Sequence, residues 1–114
     1  MNSIHVFRKL ALIAIAGALS AAAAFAQSSN PASEQLKKSM DAGMRSMQGM
    51  KLSGDTDMDF AMMMKMHHQQ ALEMAKVQVQ QGKSAPLKTM AQKIIDDQTK
   101  EIAQLDAWMQ QHHR

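Results

Sequence analysis

The chain has 114 residues, 46% of them hydrophobic, with 13 methionines, no cysteine and a formal net charge of +3. The missing cysteines exclude disulfide stapling, c-type haem attachment and thiolate zinc sites. No basic stripe with interleaved aromatics occurs, which excludes nucleic acid as a partner.

Residues 1–26 read as a cleaved signal peptide. Arg8 and Lys9 form a positive start, an apolar run follows, and Ala24-Phe25-Ala26 offers a peptidase site before Gln27. The expected mature chain is therefore exported to a bacterial periplasm, with no membrane attachment once the signal is gone. Its length is 114 less 26, or 88 residues, enough for one small domain. Arg8 and Lys9 leave with the signal, so the +3 charge falls to about +1. In an oxidising compartment thiols are consumed by disulfide chemistry, so a protein holding a soft metal there has reason to use methionine thioethers.

Residues 27–54 read as a Met-rich N-terminal helix and loop. Asn30-Pro31 supplies an N-cap and a first-turn proline. Leu36, Met40, Met44, Met47 and Met50 then fall on one helical stripe, which Gly43 and Gly49 weaken. The stretch "KLSGDTD" breaks the pattern and predicts a loop.

Residues 55–114 read as a helical hairpin. Thr56-x-x-Asp59 resembles a capping box, and a second helix is expected from about Asp57 to Gln81, with Gly82 as its C-cap. Ser84 caps a third helix, whose first turn tolerates Pro86. That helix places Leu87, Met90, Ala91, Ile94, Gln98, Ile102, Leu105 and Met109 on one side and ends near His112. Met90 is read as core filling, Asp96–Lys100 as an i,i+4 pair, Glu101 as a solvent-face charge and Trp108 as a packing residue. The fold class is all-α: an antiparallel hairpin plus the Met-rich helix. One apolar face stays open, which dimerisation would complete into a four-helix arrangement.

The segment "FAMMMKMHHQQALEM" carries the chemistry. His67 and His68 point about 100° apart on a helix. Each has its own thioether at i,i+4, Met63 for His67 and Met64 for His68, and Met74 follows His67 at i+7. The line His68, Leu72, Ala75, Val79 should face the core. Neutral sulfur with imidazole selects Cu(I), and Ag(I) likewise. Further donors are available from Met40, Met44 and Met47, or from Met109 with His112 or His113. Zinc is disfavoured by the histidine spacing, and a di-iron centre by the lack of Glu-x-x-His.

"DFAMMMKMHHQQALEMAK" followed by "LKTMAQKIIDDQTKEIAQLDAWM" is similar to the copper-binding, exported, ferritin-like domain-of-unknown-function proteins of the CopM type. The resemblance covers about Asp55 to His112. It rests on Asp59, Phe60, Met63, His67, His68, Ala71, Met74 and Ala75, then on Ala91, Ile94, Ile95, Gln98, Glu101, Ile102 and Trp108. It implies a ferritin-like bundle, a part in periplasmic copper tolerance, and ligation by Met63, His67, His68 and Met74. Family members commonly carry an apolar residue and a proline before the histidine pair. Lys65-Met66 stands there instead, which predicts a straighter helix and an added thioether.

The expectation is thus a non-catalytic Cu(I)-binding protein that buffers copper or exchanges it with a periplasmic donor or acceptor. Two rivals compete with it. One is a Met-rich periplasmic chaperone that holds apolar client segments. The other is a b-type haem bundle with Met and His axial ligands.

Overall fold

The computed structural model describes residues 30–113. The signal peptide expected at residues 1–26 lies outside them. Three helices follow in order, α1 (Pro31–Gln48), α2 (Thr56–Gln81) and α3 (Ala85–His112), and no strand occurs among the described residues. The fold is all-α, as the periodicity predicts.

Each helix begins where its capping chemistry dictates. Asn30 Oδ1 accepts from the Ala32 amide at 3.0 Å, with Pro31 leading α1. Ser84 Oγ accepts from the Leu87 amide at 3.4 Å at the head of α3. At α2 the expected capping box is replaced by a different latch. Asp55, not Thr56, is the N-cap, and its Oδ1 accepts from the amides of Asp57 and Met58 at 3.0 and 3.1 Å. Asp59 reaches back past the helix start, accepting from the Ser53 amide at 2.7 Å and the Ser53 hydroxyl at 2.8 Å. Aspartate one turn in is long enough to clamp the incoming loop, and Asp55 already serves the first amides.

α2 lies between the other two helices: α1 touches α2, α3 touches α2, and α1 does not meet α3. α2 and α3 run antiparallel through a turn at Gly82–Ser84, where Gly82 caps α2 in an extended conformation. Ala61, His68 and Ala75 of α2, spaced by seven, are buried along with Ala91 of α3. Leu72 and Val79, expected on the same core line, are half-buried. Small side chains let the helix axes approach closely. The Lys65–Asp106 ion pair ties the same helices together.

On the opposite side, α1 runs antiparallel to α2. Gln81 Nε2 donates to Gln35 Oε1 at 3.0 Å, and a Cβ on Gly43 would fall 1.2 Å from Gln70 Oε1. Gly43 is therefore a contact point, where the sequence suggests only a weak spot. Helical spacing groups Gln70, Val77 and Gln81 on this face, and Val77 is buried. The expected stripe forms the contact only in part. Leu36 and Met50 are half-buried with Ser39 and Gly43, whereas Met40 and Met44 are 49% and 55% exposed. Gln70 lies across the glycine, and thioethers in that line would hold the helices apart.

Two smaller expectations also change. Met90 is 59% exposed rather than core, because α3 has a partner on one side only. Asp96 accepts from Gln92 and Asp97 pairs with Lys93, so the Asp96–Lys100 pair is not formed.

The α1–α2 loop generates two expected outcomes. Gly54 has φ +86° with nothing within 4 Å of a built Cβ, so Gly54→Ala should cost about 1 kcal/mol in urea unfolding through backbone strain alone. The Ser53 amide and hydroxyl bonds hold the Asp59 carboxyl below its ordinary range. A depressed pKa contributes stability above the unfolded value and loses it as pH falls through the folded one. Amide protection at Ser53 and Gly54 should therefore persist at pH 4 and be lost only as pH falls below the ordinary carboxylate value of about 3.9, measured by hydrogen exchange.

Candidate metal centre

α2 carries the methionine and histidine cluster on one helix that runs uninterrupted through Lys65-Met66. Steps of about 100° send neighbours to different sides. His68 turns into the α2–α3 contact, 7% exposed, while His67 and Met63 remain exposed. The two imidazole rings stand 6.2 Å apart between centroids and are inclined at 62°.

His68 meets Glu101 of α3, Nε2 against Oε2. A carboxylate oxygen accepts, so Nε2 carries the proton, and in the neutral ring the lone pair lies on Nδ1. That Nδ1 is buried with no hydrogen-bond partner. A carboxylate holding one ring nitrogen while the other is left as a bare donor is how metal-ligating histidines are oriented. Met64 lines the same open cavity of about 630 Å³, together with Phe60, His68, Glu101, Leu105 and Trp108. Glu101 is therefore not the free solvent-face charge expected of it. Antiparallel counting from the turn, with Glu101 seven residues beyond the inward Ile94, is the signal that could have found it.

The remaining candidates fall on another edge. Met63, His67 and Met74 share the flank of α2 that borders the α1 contact, as spacings of four and seven require. On α1, Met40, Met44 and Met47 lie to one side of the Ser39–Gly43 line. In an antiparallel pair, flanks of the same rotational sense fall on the same side of the groove. The Gly43–Gln70 and Gln35–Gln81 contacts set the register. Met40 comes about level with Met74, and Met47 with His67. The eight candidates thus divide into six along the α1–α2 groove and two, Met64 and His68, in the α2–α3 cavity.

His112 and His113 join neither group. They line a separate cavity with Met58 and Met62, where α3 ends beside the start of α2, and Met109 is not among its walls. Among the described residues no three His, Asp or Glu side chains converge as a cation site. Any ion held by these clusters would depend on sulfur, which favours a soft monovalent metal over zinc or iron.

The His68–Glu101 pair is testable without metal. Glu101→Ala leaves both nitrogens of a buried ring unanswered and should lower stability by about 1–3 kcal/mol. Glu101→Gln keeps an acceptor oxygen and should lose less in thermal unfolding.

In comparisons with known proteins, the family described as "Domain of unknown function (DUF305)" matches residues 57–114, the whole of α3 and all but the first residue of α2. No curated protein and no solved structure matches the chain. The helix that bears the Met–His cluster and the helix that bears Glu101 are those the family shares, and the chain belongs to the DUF305 family.

Proposed function

We propose that this DUF305 protein is of the copper-binding CopM type and binds Cu(I), with Ag(I) as a surrogate, through methionine and histidine. It buffers the ion or hands it to a partner in the periplasm after signal removal, contributing to copper tolerance and catalysing no reaction. The observation that carries this reading is the sorting of Met40, Met44 and Met47 with Met63, His67 and Met74 onto one edge of the α1–α2 groove. Thioethers serving only as packing would be expected inside, yet Met40, Met44, Met47 and Met63 are all at least 36% exposed. Met64 and His68, whose buried Nδ1 has no hydrogen-bond partner, line the same α2–α3 cavity and offer a second donor pair.

Exposed apolar side chains, Phe60 at 61% and Leu87 at 50%, support two subsidiary readings. A second copy of the chain could cover these side chains in a homodimer, or they could hold apolar client segments as a chaperone. A monomeric mass at micromolar concentration removes the first. Copper-independent suppression of client aggregation favours the second.

Anaerobic Cu(I) titration against a competing chelator tests the main reading. Met63→Leu or His67→Ala should weaken binding about tenfold or more, about 1.4 kcal/mol, with helix content unchanged. Imidazole binds metal only when unprotonated, so affinity should fall on acidification. Undiminished affinity at pH 5 would show that the histidines are not ligands. Failure of the protein to retain Cu(I) or Ag(I) against a modest competitor would overturn the proposal.

A further inference from the structure

We propose that Met58, Met62 and His112 form a second soft-metal site on the opposite side of the hairpin, for one monovalent coinage-metal ion. These residues line a cavity of about 520 Å³ where α2 begins and α3 ends. Met58 and Met62 are spaced i,i+4, so their side chains lie one above the other. Helical geometry sets them on the flank of α2 away from Met63, His67 and Met74. No ion could reach both clusters.

His112 is prepared for ligation before any ion arrives. Its Nδ1 lies 2.7 Å from the carbonyl oxygen of Trp108. A carbonyl can only accept, so Nδ1 bears the hydrogen and the neutral ring presents its lone pair on Nε2. The ring also stacks on Trp108, with centroids 4.2 Å apart and planes 13° from parallel. Tautomer and orientation are both set, which removes part of the ordering cost of binding. His113 lines the same cavity and is available as a further nitrogen donor.

The local field accepts a cation. The start of α2 presents the positive end of a helix, but Asp55 and Asp57 stand in the cavity wall. The end of α3 contributes the negative pole of its own dipole. Two neutral sulfurs and one imidazole suit Cu(I) or Ag(I).

Trp108 is the only tryptophan of the chain, which makes the site readable. The experiment titrates the protein with Ag(I), following Trp108 fluorescence and the ¹⁵N resonances of the histidine rings. His112 Nε2 should shift on binding while its Nδ1 keeps a proton. His112→Ala should lower the bound silver by one equivalent, and Met58→Leu with Met62→Leu should weaken that equivalent about tenfold or more while the helical spectrum is retained. The double variant His67→Ala, His68→Ala should still shift His112, which separates this site from the groove and from His68. An unmoved His112 Nε2 at saturating Ag(I), or unchanged stoichiometry in His112→Ala, would overturn the proposal. In that case silver retained by the wild-type protein but lost from the His67, His68 variant would leave the groove reading standing.

Discussion

α2 has to serve two neighbours at once, with Ala61, His68 and Ala75 buried toward α3 and Gln70, Val77 and Gln81 set toward α1. Ala61 and Ala75 meet α3, whose Ala91 is also buried, and a Cβ on Gly43 of α1 would require the end of the Gln70 side chain to move. Met40, Met44, Met47 and Met63 stand exposed at the edges of these contacts. What looks like core-filling composition becomes a set of sulfur atoms bordering grooves.

That arrangement has an energetic consequence. None of the described side chains is fully buried, and α1 contributes no buried residue at all. Hydrophobic burial scales with the apolar area removed from water, so α1 docking gains little from it. At α1 the polar bonds are Gln81 on Gln35 and, in the loop, Asp59 on Ser53, while Lys65 on Asp106 and His68 on Glu101 act across the hairpin. An ion held between α1 and α2, as proposed, would bind the docked form alone and favour it by mass action. Metal uptake and ordering of the N-terminal helix would then be one equilibrium.

The histidines show how one residue type takes on different roles through its partners. His68 is oriented by a carboxylate from the neighbouring helix and loses contact with solvent. His112 is oriented by a backbone carbonyl of its own helix and by an indole face, and stays exposed. His67 has neither restraint among its described contacts apart from the edge of the His68 ring. In the proposed scheme these are a buried ligand, a prepared surface ligand and an adaptable groove ligand.

Much of the fold is legible in the amino-acid order, because helix periodicity and capping are local. Asn30-Pro31, Ser84 with Pro86 and the loop through Gly54 each mark boundaries that follow from the side chains present, and the i,i+4 Met–His spacing is a property of one helix. Which flank of a helix meets a neighbour is not local. It depends on axial distance and register between segments far apart in the chain. For that reason only the tertiary structure turned the α1 methionines outward, gave Gly43 a contact to Gln70 and brought Glu101 to His68. It also placed His112 beside Met58 and Met62 in one cavity wall. Periodicity alone determines that a stripe exists; register and packing between separate segments decide which stripe becomes the interface.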